Sequence, residues 1–145
     1  MACVNEPRHP RKTLLLDANV LVSASWKENA ETARIWQLDG ARLVTSSYVM
    51  AEVQRNLISI AQIERLRGLM TSVEVLYFQN LSEPVEALSL PTKDRPVLAA
   101  AVQANADLLI TGDKKHFSMW FGKTICGVGI EPPTGLFTLF DLRHD

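Results

Sequence analysis

The sequence predicts an α/β protein in which helices cover both faces of a central parallel β-sheet. Two observations carry that expectation. Short apolar runs alternate with helix-like stretches from one end of the chain to the other, the order that builds parallel sheets. Two of those runs, Thr13-Leu14-Leu15-Leu16 and Leu108-Leu109-Ile110-Thr111, each lead into a carboxylate, Asp17 and Asp113 respectively. In open α/β sheets ligands bind at the carboxyl ends of the strands. Two acids delivered there from distant parts of the chain suggest one site.

The elements follow in order. Residues 1–12 hold Pro7 and Pro10 among polar residues and are expected to form a loose tail. Residues 13–16 form the first strand. Residues 20–26 and 29–38 are expected as helices, the second ending near Gly40, a C-cap signal. Residues 42–45 form a short strand. Ser46 or Ser47 can then cap a helix running to about residue 60, continued by a helix over 61–70 with a hinge between. Residues 73–78 carry the β-branched and aromatic content of a strand. A short helix is expected over 84–88. Asp94 and Pro96 open the next helix, which runs to about residue 104, with proline in the first turn where its missing N–H is not needed. Strands are expected over 108–111 and 124–130. Pro132 and Pro133 punctuate, and the end is a short helix or coil.

Composition sets limits. The chain has 145 residues, 47% hydrophobic and 21% charged, which suits one globular domain rather than a disordered segment. The formal net charge is -1, so any nucleic-acid contact must come from a local basic patch. Cys3 and Cys126 are too few for a disulfide framework and lack metal-ligand spacing. Asp17 and Asn19 interrupt the one stretch that could mimic a signal peptide, and no apolar run approaches a membrane span. A cytoplasmic location is expected.

Two further acids join Asp17 and Asp113. Glu52 falls in the helix after the second strand, about 95° from the centre of an apolar stripe of Val49, Val53, Leu57 and Ile60. There it flanks the buried face and can reach toward the sheet edge. Asp94 opens the helix that leads into the last acidic strand. Alone, Asp94 reads as an N-cap and Glu52 as a solvated helix residue; together with Asp17 and Asp113 the α/β order brings them to one edge. Clustered carboxylates repel one another unless a cation neutralises them or one takes a proton. Mg²⁺ and Mn²⁺ prefer such oxygen ligands.

These motifs resemble those of the PIN-domain nucleases, including the VapC-like toxins of bacterial toxin–antitoxin pairs. The matching pieces are Leu16-Asp17-Ala18-Asn19-Val20-Leu21, Ser47-Tyr48-Val49-Met50-Ala51-Glu52-Val53, Lys93-Asp94-Arg95-Pro96-Val97-Leu98-Ala99-Ala100-Ala101 and Ala106-Asp107-Leu108-Leu109-Ile110-Thr111-Gly112-Asp113-Lys114-Lys115-His116-Phe117. The resemblance extends over residues 13–139 and implies a PIN-like domain over 13–145. It implies metal-dependent hydrolysis of RNA phosphodiesters, with Asp17, Glu52, Asp94 and Asp113 as catalytic and metal-binding acids and one or two Mg²⁺ or Mn²⁺ ions. All four positions are filled, which favours an active enzyme. The resemblance also implies a small antitoxin partner and pairing as a homodimer.

Around that set, Asn19 and Thr111 are placed to orient the ligand carboxylates. Lys114, Lys115, His116 and Arg95 are candidate RNA contacts. With a full oxygen set in place, His116 is not expected to be a metal ligand. Asp107 precedes its strand, so it belongs at the opposite sheet edge as a structural residue. Arg55, Arg65 and Arg67 tint two helices basic, and Trp26, Trp36 and Trp120 suit core or interface.

Competing readings fit less well. A phosphatase of the haloacid dehalogenase type needs a second Asp two positions after the first, where Asn19 stands. A response-regulator receiver needs an acidic pair at its first strand, and none is there. A non-catalytic module would bind metal or a partner without turnover. An RNA-processing nuclease without an antitoxin would share the site of a toxin.

Overall fold

The computed structural model describes residues 11–78 and 81–144. The N-terminal tail expected over 1–12 lies outside the described residues except for its last two positions. Six strands form one sheet in the order β3-β2-β1-β4-β6-β5. These are β1 Lys12–Leu16, β2 Ala41–Ser46, β3 Val73–Leu76, β4 Leu108–Ile110, β5 Thr124–Ile125 and β6 Val128–Glu131. Every pairing is parallel except that of β5 with β6. The α-helices are α1 Ala18–Ser25, α2 Ser47–Asn56, α3 Ile60–Met70, α4 Arg95–Gln103, α5 Lys114–Phe117 and α6 Pro133–His144.

The core explains the order. Successive side chains on a strand point to opposite faces, yet Leu14, Leu15 and Leu16 of β1 are all fully buried. Both faces of the central strand are therefore covered, as the α/β expectation requires. Val20 and Leu21 of α1, Val49 and Val53 of α2, and Leu98, Ala100 and Ala101 of α4 pack into the same core as the sheet.

The chain runs outward from β1 through β2 to β3, then crosses back to lay β4 on the other side of β1. The strand order thus reverses between β1 and β4, the place where open α/β sheets form a ligand crevice. Leu16 pairs with Ile110, so the next residues, Asp17 and Thr111, emerge side by side.

Several boundaries differ from expectation for local reasons. The first helix starts at Ala18 because Asp17 caps it, accepting from the Ala18 N–H at 2.8 Å. The segment after it is a 3₁₀ helix, Glu31–Gln37, preceded by Asn29 at φ 57 and given no side-chain cap. The helix expected to reach residue 60 stops at Asn56: Leu57 turns extended and Ser59 caps α3 through the Gln62 N–H. Ile60 therefore opens a new helix and stands exposed rather than extending the α2 stripe. The expected short helix at 84–88 is a 3₁₀ turn, Val85–Ser89. The single strand expected over 124–130 is an antiparallel hairpin, because Cys126 (φ 52) and Gly127 (φ 81) form a two-residue turn. Positive φ at both central positions is what a tight hairpin turn requires. The C-terminal segment is a helix of 12 residues, with Pro133 at its first position.

Candidate active site

Each acid reaches the carboxyl edge of the sheet by a different device. Asp17 follows β1 and is 5% exposed. Its Oδ1 accepts from Ala18 N–H, while Oδ2 accepts from the Thr111 hydroxyl at 2.9 Å and from Asn19 Nδ2 at 3.3 Å. The Thr111 hydroxyl also accepts from Asn19 Nδ2 at 3.2 Å and from the Asp113 N–H at 3.2 Å. Asn19 Oδ1 in turn accepts from Gly112 N–H at 2.7 Å. Asn19 and Thr111 thus tie the end of β1 to the loop after β4.

Glu52 comes from α2. Ser46 caps that helix, accepting from Val49 N–H at 3.1 Å, and Val49 and Val53 bury its inner face. Tyr48, Glu52 and Asn56 stand four residues apart and so share one stripe. Glu52 and Asn56 line the cleft, and the Tyr48 hydroxyl donates to the Lys93 carbonyl at 3.0 Å. That bond holds the residue beside Asp94.

Asp94 sits where the 3₁₀ turn Thr92–Asp94 runs into α4. It occupies the cap position, yet its carboxylate makes no cap hydrogen bond. Instead Oδ2 is buried without a hydrogen-bond partner. Asp113 caps the short helix α5 through Oδ1 and the His116 N–H at 3.2 Å.

The four acids line one cleft of about 340 Å³, together with Asn19, Ser23, Asn56 and Lys93. Two of these acids, Asp94 and Asp113, present with His116 ligand-type atoms that all lie within 4.8 Å of one another. Asp17 and Glu52 face the same space outside that tight group. Burial pushes the Asp17 carboxyl up from 3.8 to about 6; the bonds from Ala18 and Thr111 oppose this, and the charges of Glu52 and Asp94 add to it. Burial also raises Asp94, with His116 opposing and Asp113 adding. Tyr48 is raised by burial and then by Glu52 and Asp94. A group of oxygen donors held partly desolvated, one of them a buried carboxylate oxygen without a hydrogen bond, is chemically suited to a hard divalent cation.

The structure places the remaining candidates as follows. Lys114 and Lys115 stand in the turn after Asp113, and both are exposed. Arg95 does not extend toward it: its guanidinium donates to the carbonyls of Leu90 at 3.0 Å and Leu88 at 3.3 Å. His116 turns inward, its Nδ1 2.9 Å from Asp94 Oδ2 and 2.9 Å from Asp113 Oδ2. Lys93, Ser23 and Asn56 also line the cleft and were missed by sequence reasoning; Lys93 adjoins Asp94 and Asn56 follows Glu52 by one helical turn, signals that were available. Asp107 lies at the far edge, its Oδ2 accepting from Thr13 N–H at 2.8 Å. Arg65 binds the Ser25 and Trp26 carbonyls at 2.8 and 2.7 Å, and Arg67 pairs with Glu64. Trp36 packs at the core edge and donates to the Leu69 carbonyl at 2.9 Å, whereas Trp26 is largely exposed.

Among the described residues, no helix is long and apolar enough to cross a membrane. The family model described as PIN domain matches residues 13–115. No curated protein matches the chain. Among solved structures, a chain of VapBC-1 from nontypeable Haemophilus influenzae is similar with a TM-score of 0.56 and 21% identity, covering 84% of this chain and 98% of that one. A chain of VapBC2 from Rickettsia felis, solved bound to a DNA fragment from their promoter, is similar with a TM-score of 0.56 and 16% identity, covering 83% and 98%. At those identities the likeness is one of fold.

Proposed function

This chain belongs to the PIN domain family, and from that premise we propose that it is a Mg²⁺- or Mn²⁺-dependent endoribonuclease acting as the toxin of a toxin–antitoxin pair. The observation that carries the reading is the convergence of Asp17, Glu52, Asp94 and Asp113 from four chain segments on one cleft at the reversal of strand order. Buried carboxylates held above their ordinary pKa are costly without a cation.

Asp17, Asp94 and Asp113 are the residues to hold the ion, with Glu52 at the cleft wall. Bound there, one or two divalent ions would offset the acidic charge, polarise the scissile phosphate and activate water. Asn19 and Thr111 fix the Asp17 carboxylate, so that its lone pairs stay directed into the cleft. Tyr48 steadies the backbone beside Asp94. Lys93, Lys114 and Lys115 supply positive charge for the phosphates of an RNA strand.

A protein partner has a surface to use. Ile58 and Ile60 are 77% and 79% exposed at the α2–α3 connection, with Ile63 one turn on. Apolar side chains gathered there suit an antitoxin or a second copy. The likeness to chains of VapBC structures supports a partnered toxin over a solitary RNA-processing enzyme. An antitoxin entering the cleft would compete with the metal through a basic side chain. The reading also places the protein in the cytoplasm, where its RNA is.

The test is cleavage of a mixed single-stranded and structured RNA pool by purified protein with Mn²⁺, with Mg²⁺ and with EDTA, beside Asp17→Asn. Metal-dependent cleavage lost in the variant supports the proposal. Metal binding without cleavage of any RNA would favour a non-catalytic module. Growth arrest on expression, relieved by a co-expressed neighbouring gene product, separates toxin from processing enzyme.

A further inference from the structure

We propose that His116 Nδ1 is a direct ligand of the divalent cation, so that Asp94, Asp113 and His116 form a mixed oxygen–nitrogen site that favours Mn²⁺ over Mg²⁺. The proposal rests on the metal-dependent reading above and adds to it the ligand set and the cation it selects.

The spacing is that of neighbouring donors on one ion. Nδ1 lies 2.9 Å from Asp94 Oδ2 and 2.9 Å from Asp113 Oδ2. Two adjacent ligands of an octahedral cation at about 2.1 Å stand about 3.0 Å apart. The same atoms are poorly explained without an ion. Asp94 Oδ2 and His116 Nδ1 are both buried and neither has a hydrogen-bond partner, although they lie within ion-pair distance of each other. Both carboxylate oxygens stand against the one ring nitrogen, and neither contact has the geometry of a hydrogen bond. The Asp94 side chain is only 9% exposed, and a carboxylate oxygen that deep without a hydrogen bond is costly.

The imidazole is held there, not swept in. Asp113 Oδ1 accepts from the His116 N–H, fixing the turn that carries both side chains. Phe117, the next residue, is fully buried and anchors α5 against the core. The ligands stand at i and i+3 on that turn, where side chains share a face. Imidazole suits transition cations, whereas Mg²⁺ prefers oxygen and keeps its water.

The deciding measurement is pulsed electron paramagnetic resonance on the full protein loaded with Mn²⁺, read for ¹⁴N coupling to the ion. Isothermal titration of Mn²⁺ and Mg²⁺ accompanies it, on wild type and His116→Gln. The expected result is ¹⁴N modulation in the wild type that disappears in H116Q, with Mn²⁺ affinity falling about ten-fold or more and Mg²⁺ affinity changing less. Mn²⁺ bound without ¹⁴N modulation in the wild type overturns His116 ligation and leaves the carboxylate site standing. Modulation that persists in H116Q assigns the nitrogen elsewhere and also overturns it. No binding of Mn²⁺ at millimolar concentration removes the metal-dependent reading itself. Where H116Q fails to fold, selective ¹⁵N-histidine labelling of the wild type decides the question: ¹⁴N modulation replaced by ¹⁵N coupling supports histidine ligation, and ¹⁴N modulation that persists overturns it.

Discussion

Replacing Asp17 with asparagine should stabilise the metal-free protein at neutral pH, and the size of the gain can be worked from the site. The Asp17 carboxyl is raised from 3.8 to about 6 in the folded chain. Its proton is then held more tightly in the native state than in the unfolded one, so stability falls as pH rises through that window. The difference of about two pKa units corresponds to a penalty of about 3 kcal/mol, fully present above about pH 6 and absent below about pH 4. The asparagine carries no charge at any pH and escapes that penalty. Its amide oxygen can still accept from Ala18 N–H, but the Thr111 hydroxyl, whose lone pairs already take Asn19 Nδ2 and Asp113 N–H, loses the acceptor for its own proton, at a cost of about 1 kcal/mol. Asn19 Nδ2, which donates to Asp17 Oδ2 at 3.3 Å, loses an acceptor, at a cost of about 1 kcal/mol. The net expectation is a variant more stable by about 1 kcal/mol at pH 7.5. That advantage should disappear by pH 4. Urea denaturation of both proteins in EDTA at the two pH values measures it. A variant less stable than wild type at pH 7.5, or a gap that does not narrow on acidification, would refute the burial argument.

Other expectations can be checked alongside. Thr111→Val removes the hydroxyl that donates to Asp17 and accepts from Asp113 N–H; a loss of about 1.5–3 kcal/mol is expected in denaturation at pH 7.5, with weaker Mn²⁺ binding by titration. Asp107→Ala removes the acceptor for Thr13 N–H at the far sheet edge; it should cost about 0.5–1.5 kcal/mol and leave the RNA cleavage rate unchanged. Tyr48→Phe frees the Lys93 carbonyl; cleavage should slow through the loosened Asp94 while the melting temperature moves little. Adding Mn²⁺ at a hundred times its Kd should stabilise the wild type by about 2.7 kcal/mol, a gain that shrinks in Asp17→Asn.

What could be read from sequence follows the range of the forces involved. The strands β1, β2 and β4 and the convergence of the acids were legible because dense apolar runs and strand-end carboxylates are strong local signals. Asp94 carries two roles on the chain, and its N-cap residue type masked the fact that its carboxylate makes no cap bond. The end of α2 was misplaced because Leu57 and Ile60 continue an apolar period that Ser59 interrupts; the cap outweighed the stripe. The β5–β6 hairpin was hidden because Cys126 adopts positive φ without being Gly, Asn or Asp. His116 reads as an outward RNA contact because the oxygen set is already full. Only the turn fixed by Asp113 and the anchoring of Phe117 direct it inward, and that is tertiary information. Arg95 reads as a substrate contact for a similar reason: nothing local shows that the carbonyls of Leu88 and Leu90 lie within its reach.

The pairing of β1 with β4 has a consequence for when the molecule becomes competent. Thr111 and Asp17 are separated by 94 positions, and contacts that distant form late and slowly. During synthesis the amino-terminal part emerges first, so β1, β2 and β3 can assemble while Asp17 and Glu52 face only half a groove. The opposite wall, with Thr111, Asp113 and His116, arrives in the last third of translation. A chain that stops short of that wall would carry three of the four acids and remain inert. On the proposed reading of the chain as a toxin, the order in which its parts are made would keep the ribosome-bound product inactive.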